Sequence, residues 1–334
     1  MKILKYLLFV VLISVVGGAV YLASLDGKYD VRRTCVINAP LSLTFNTVNE
    51  FKTWGEWGPW KEMDSTIVYS FPELTSGENG SYTWTGTSPK KGAMHNFSVT
   101  KNKEILQKIQ MDDYEESTIY WNFEAVDGGT KVTWGMKGEM PFVVRWMAAS
   151  MEEKIGPMYE RGFELLEEYL QEKMGEHSVV FNDVVDYGGG FYVYLATSCT
   201  IIQIPEKMEE MMPKLHKYVR EQQIVTSGNP FAMYHKWDEE NKTTMFSVGI
   251  PVRERLKTDG TVLVGYQKPI KTAKFTAKGD YKFGTEAWEF AFKTLEEKGL
   301  KIPETAEPFE VYLTSPMTTE NPADFVTEIY LPIE

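Results

Sequence analysis

The sequence predicts an α+β chain in three parts: a transmembrane helix within residues 1–28, a helix-grip domain over 29–175, and a domain over 176–334 that gives one strand–helix–strand–strand (βαββ) unit twice. Three observations predict it. Tyr6 to Leu25, "YLLFVVLISVVGGAVYLASL", carries no charge. Ile67 to Met140 alternates apolar and polar residues between turn signals and leads into a long amphipathic stretch. Beyond Gly190, "PFAMY" from Pro230 returns as "PFEVY" from Pro308, and "FSVGIPV" from Phe246 as "TEIYLPI" from Thr327.

The first part follows from length. At about 1.5 Å per residue, the uncharged run spans roughly 30 Å, the thickness of a bilayer core. Lys2 and Lys5 precede it, so the positive-inside rule keeps that end in the cytoplasm. The globular domains are then extracytoplasmic on a single-pass protein of the cytoplasmic membrane, although Lys28, Arg32 and Arg33 weaken the asymmetry. The competing reading is a cleaved signal peptide; against it stand the length of the run and a poorly formed small-x-small site around Ala23.

The rest is long enough for two cores, with 43% hydrophobic residues in 334. A net charge of −12 and no Lys/Arg cluster argue against tracking nucleic-acid phosphates. Cys35 and Cys199 lie far apart with no CxxC spacing, which reads as small core residues.

In the second part, Asp30 to Pro40 reads as a strand, "LSLTFNTVNEF" as a short helix, and "TWGEWGPW" (Thr53 to Trp60) as a tryptophan-rich loop. An antiparallel meander follows, then helix from Pro141 to about Met174 with Met151, Ile155, Met158, Phe163, Leu166 and Tyr169 on one stripe. A curved sheet gripping a C-terminal helix results. "VNEFKTWGEWGPW" resembles the loop after the first helix in the polyketide cyclase-like branch of the SRPBCC/START-like superfamily, over Val31 to about Met174. The resemblance implies a pocket for a hydrophobic ligand and no fixed chemistry. Trp54, Trp57 and Trp60 then either touch ligand at the cavity mouth or plug the open end of the sheet, since indole buries large area and tolerates a polar edge.

In the third part, Glu176 to Gly190 reads as a polar connector ending in a "GGG" hinge. Helices "PEKMEEMMPKLHKYVREQQ" and "GTEAWEFAFKTLEEKG" precede the two repeated strand pairs. The halves can pair around a pseudo-two-fold axis, with a ligand crevice on the axis. Over Phe191 to Glu334 these motifs are similar to the GyrI-like, or bacterial effector-binding, family. The resemblance implies recognition of lipophilic, cationic small molecules; the helix-turn-helix of DNA-binding relatives is absent, so gene control is not carried over. It also implies that the glutamate of the last strand, Glu328, floors the site; the first-copy counterpart is Ser247, and Tyr330 shares the strand face of Glu328. Tyr234, Tyr312, Tyr281 and Trp288 are the candidate aromatic walls, suited to a cation through cation–π attraction.

No metal site is expected: His95, His177, His216 and His235 form no ligand-spaced pair. Nor does a serine sit in G-x-S-x-G. No cofactor is expected. The expected function is a membrane-anchored small-molecule binding protein or sensor. The alternative is a hydrolase of small reactive molecules with Glu328 as general base and Tyr330 or Tyr312 as proton donor; a third reading is a protein-interaction adaptor.

Overall fold

A computed structural model describes residues 2–258 and 260–334; the side chains of Lys2 and Ile3 lie outside the described set, and with them the charge expected of Lys2. The chain divides into two compact units, Met1–Lys173 and Met174–Glu334.

The first unit begins with helix α1 (Lys2–Ser24), whose stretch Leu4–Ser24 has a mean hydropathy of 2.4 and no buried residue. It is long and apolar enough to cross a membrane. Strand β1 (Lys28–Ile37) and helix α2 (Leu41–Asn49) follow, then two single-turn helices in the tryptophan segment, α3 (Trp54–Trp57) and α4 (Trp60–Met63). Strands β2 (Val68–Ser70), β3 (Ser81–Thr85), β4 (Lys91–Thr100), β5 (Glu104–Met111), β6 (Ser117–Val126) and β7 (Gly129–Glu139) complete an antiparallel sheet in the order β1-β7-β6-β5-β4-β3-β2. The alternation read from sequence places Trp121 and Trp134 inside.

The single helix expected from Pro141 is two elements. Phe142–Ser150 is a 3-10 segment with Val144 at φ −126° and ψ 18°, and helix α5 runs only from Met151 to Gly175. The β-branched pair Val143 and Val144 is stiff at χ1 and ill-suited to a helix start, so the regular helix begins where Glu152 and Glu153 can favour its N-terminal dipole.

The resemblance implied a cavity between sheet and helix; that space is filled. Trp54, Trp57, Trp121, Trp134 and Tyr159 are fully inaccessible. Trp54 and Trp57 lie 4.9 Å apart, Trp121 stacks on Trp134 at 4.3 Å, and Trp134 on Tyr159 at 4.0 Å. The indole N–H of Trp54 donates to the carbonyl of Val48 at 2.8 Å, and that of Trp57 to Thr53 Oγ1 at 3.1 Å. Trp121 donates to Gln107 at 3.0 Å, and Gln107 to Asn96 at 2.9 Å. The loop tryptophans are thus core, and only Trp60 keeps accessible surface. On α5 a side chain at Gly162 would put its Cβ 2.5 Å from the Trp134 ring, so the close approach of helix to indole needs glycine there.

The second unit contains strands β8 (Ser178–Tyr187), β9 (Gly190–Thr200), β10 (Phe231–Asp238), β11 (Thr243–Val252), β12 (Leu263–Gln267), β13 (Ile270–Lys278), β14 (Phe309–Tyr312) and β15 (Val326–Pro332). Helices α6 (Ile204–Glu221) and α7 (Gly284–Lys298) follow β9 and β13. The sheet order, β12-β9-β11-β10-β14-β15-β13-β8, places equivalent strands equally far from the central β10–β14 seam. Glu176 to Gly190 is therefore not a linker: most of it is β8, paired with β13 from Ser178↔Lys278 to Tyr187↔Ile270. Its partner lies some ninety residues downstream, beyond the reach of local pattern. The glycines form the corner that turns β8 into β9, with Gly189 at φ +67° and its missing Cβ only 2.2 Å from the carbonyl oxygen of Gln267.

Both helices cover one face of this sheet. Met211, Leu215 and Val219 of α6 pack on Val193, Phe246, Val248 and Ile250, with Met208 and Met212 alongside. Ala287, Ala291 and Leu295 of α7 pack on Ala273, Phe275, Ile329 and Leu331. The opposite face carries Phe231, Met233, Phe309, Val311 and Tyr330.

Candidate functional site at the central seam

The two P-F-x-x-Y segments meet at the seam. Phe231 pairs with Val311, Ala232 with Glu310, and Met233 with Phe309; the Tyr234 amide donates to the carbonyl of Pro308 and the Tyr312 amide to that of Pro230, both at 2.9 Å. Strand alternation then decides what faces where. Phe309 and Val311 belong to the apolar cluster on the face away from the helices, so Glu310 and Tyr312 point toward α7.

There Glu310 is enclosed by neutral donors. Tyr234 donates its hydroxyl to Glu310 Oε1 at 3.0 Å, Tyr312 donates to the same oxygen in a short bond, and the indole N–H of Trp288 donates to Oε2 at 3.2 Å. Tyr234 and Trp288 meet edge to face at 5.4 Å. Tyr281 stacks its edge on Tyr312 at 5.6 Å and donates to the carbonyl of Thr314 at 3.0 Å. Glu310 is half-buried. Burial pushes its carboxyl above the ordinary glutamate range, opposed by the donors Tyr312, Tyr234 and Trp288. Burial also raises the phenols of Tyr234 and Tyr312, and pushes Tyr281 up to about 12, with Glu310 adding to each. Among the described residues no Lys or Arg pairs with Glu310.

Glu328 sits elsewhere. Ile329 and Leu331 face α7, which puts Glu328 and Tyr330 on the opposite face. Lys274 Nζ lies 2.7 Å from Glu328 Oε1, and Tyr330 donates to Oε2 at 2.6 Å. Lys274 thus neutralises Glu328 on the face of the sheet away from the helices. The cause is register: Thr276 is paired with Glu328 and Lys274 with Tyr330, so Lys274 lies diagonally across the β13–β15 ladder from Glu328. Of the predicted residues, the structure brings Tyr234, Tyr312, Trp288 and Tyr281 together, leaves Tyr330 with Glu328, and places Trp54, Trp57 and Trp60 in the other unit.

Glu310 was missed although the signal was available. Comparing "PFAMY" with "PFEVY" shows alanine at 232 where 310 is glutamate, the same asymmetry that drew attention to Glu328 over Ser247.

A second polar group lies on the far face. His235 Nε2 is 2.9 Å from Ser247 Oγ and Nδ1 is 2.8 Å from Glu307 Oε1, the order of a serine–histidine–carboxylate relay. Ser247 is fully buried, however, so no acyl carbon can approach its oxygen. Its role is to fix the imidazole. Replacing Ser247 by alanine is expected to cost about 1 kcal/mol of stability, and a fluorophosphonate probe is expected to leave Ser247 unmodified; labelling there would establish a nucleophile. Among the described residues, no group of three or more His, Cys, Asp or Glu is placed to hold a metal ion.

Residues 192–334 match the GyrI-like small molecule binding domain. The match starts in β9 and contains Glu310 and its three donors. Solved structures resembling the chain include the C-terminal domain of EcmrR, at 15% identity over 47% of this chain and 98% of that one, with a TM-score of 0.42. The EcmrR–DNA complex in EcmrR-RPo aligns at 16% identity over 58% and 72%, with a TM-score of 0.42. Protein CV1439 from Chromobacterium violaceum aligns at 13% over 42% and 95%, with a TM-score of 0.33. At these scores the structures add no argument to the GyrI-like match. No curated protein matches the chain.

Proposed function

We propose that the protein is a membrane-anchored small-molecule binding protein or sensor whose GyrI-like unit holds lipophilic cations over Glu310. The observation that carries the reading is a half-buried carboxylate whose three hydrogen-bond partners are all neutral. Hydrogen bonds reduce the cost of burying that charge without cancelling it, and a cation from solution would complete the neutralisation. Rings of Tyr234, Tyr312 and Trp288 beside it supply cation–π faces. The symmetric sheet order supports an internal duplication in which only the second copy acquired the charge. The filled core of the first unit favours a supporting role for the START-like domain, and the apolar α1 favours anchorage with both domains extracytoplasmic. The Lys274 ion pair leaves Glu328 poorly suited to act as a general base, which weighs against the hydrolase alternative.

Binding of benzyltrimethylammonium, with its uncharged carbon isostere neopentylbenzene as control, tests the proposal in the full chain. Calorimetry is expected to show cation binding at least tenfold tighter than the isostere; equal affinities would overturn it. The pH dependence has a definite sign. Glu310 is raised in the unliganded protein and must be ionised to hold a cation, so affinity is expected to increase as pH rises from the ordinary glutamate range through the raised value, then level off. Within that window binding releases a proton, measurable as a buffer-dependent enthalpy; a pH-independent affinity would remove Glu310 from the site.

A further inference from the structure

The 3-10 segment Phe142–Ser150 presents apolar side chains to the outside of the first unit: Phe142 is 44% exposed, Val143 70% and Trp146 58%. Arg145 is the only charged residue in its nine, and its guanidinium lies over the Phe142 ring and 3.4 Å from Glu139. The segment's location gives this exposure a meaning. The Met140 amide donates to the carbonyl of Gly27 at 2.8 Å, a Cβ on Gly27 would stand 3.0 Å from Arg145 Cγ, and the segment contacts α1 itself. Lys28 is paired with Glu139, so β1 and β7 both end beside the exit of the apolar helix. The patch is thus held at the level where Ser24 gives way to Gly27, one bilayer thickness from the start of the span, and Tyr21 lies exposed close by. Tryptophan, tyrosine and snorkelling arginine are the residues that settle where hydrocarbon meets headgroups.

We propose that Phe142–Ser150 is a second membrane contact, an aromatic foot that rests in the bilayer interface beside α1 and fixes the orientation of the first unit on the lipid surface. The inference rests on α1 spanning a membrane. It differs from that reading in requiring lipid contact by residues far from α1 in sequence, which no anchor by itself predicts. The occupant is the lipid interface rather than a second copy of the chain, because the patch adjoins the one surface that the anchor already brings to it.

The test uses the full chain in phosphatidylcholine vesicles containing a phospholipid with a diazirine in its acyl chain near the headgroup. After irradiation, mass spectrometry maps the adducts. Adducts are expected on α1 and on Phe142–Ser150, and Val143→Glu with Trp146→Glu is expected to lower those on the segment by about fivefold or more while leaving those on α1 unchanged. Thermal unfolding checks that the variant is folded, and Trp146→Ser alone serves if it is not. Adducts on α1 with none on the segment overturn the foot while the anchor stands. Adducts on neither, with protein in the supernatant, overturn both. A dimer in detergent that shields Trp146 from hydroxyl-radical footprinting assigns the patch to a second copy and also overturns the proposal.

Discussion

Glu310→Gln is expected to abolish cation selectivity and, at neutral pH, to stabilise the unliganded protein. The side chain keeps its shape: the amide oxygen can accept from the Trp288 indole N–H while the amide nitrogen donates to the hydroxyl oxygens of Tyr234 and Tyr312, and the charge that burial disfavours is gone. Removing one side of an enclosed charge pair costs about 2–5 kcal/mol of binding, against about 0.5–2 kcal/mol for an aromatic wall such as Trp288→Leu. The opposite sign in stability makes the result diagnostic. A group raised on folding has its full stability only below its ordinary range and loses it as pH rises through the raised value; the glutamine variant escapes that loss. Chemical denaturation with and without benzyltrimethylammonium reads both quantities. A variant that binds as well as the parent would exclude Glu310 as the cation's partner, and one that is destabilised would make the carboxylate a structural acceptor. Glu328→Gln, by contrast, is expected to leave cation affinity unchanged, because Lys274 already neutralises Glu328 on the opposite face.

Trp54→Ala is expected to lower the stability of the first unit by about 3–5 kcal/mol. Its indole touches Phe51, Trp57, Tyr82, Trp121 and Trp134, so the cavity left behind is walled by rigid rings that cannot collapse into it. The carbonyl of Val48 also loses its donor. Trp60→Ala should cost much less, since Trp60 meets only Trp134 among the rings and keeps accessible surface. Tryptophan emission during urea unfolding is a suitable probe because seven of the nine tryptophans lie in the first unit. A loss for Trp54→Ala no larger than for Trp60→Ala would show that the aromatic core relaxes around the gap, leaving room for the ligand pocket that the resemblance implied.

What the sequence by itself determined is local. An uncharged run long enough for a bilayer, alternation in β3 to β7, and amphipathic periods in α6 and α7 depend on residues a few positions apart, and each element formed where its pattern predicted. Recurrence of P-F-x-x-Y likewise brought out Tyr234 and Tyr312, because a repeat is visible without knowing how its copies pair. Tertiary structure decided everything that depended on which strand lies beside which. Glu176 to Gly190 became β8 and a corner because β13 accepts it across some ninety residues, and the tryptophan loop became core because Trp121 and Trp134 meet it from distant strands. The same reason puts the two carboxylates, Glu328 and Glu310, on opposite faces of the sheet. Both alternate with buried apolar neighbours, so pattern alone cannot say which face of the sheet the helices cover. The β13–β15 register gives Glu328 its lysine, while the β10–β14 seam gives Glu310 two phenols and an indole from segments up to 76 residues away, and no charge at all.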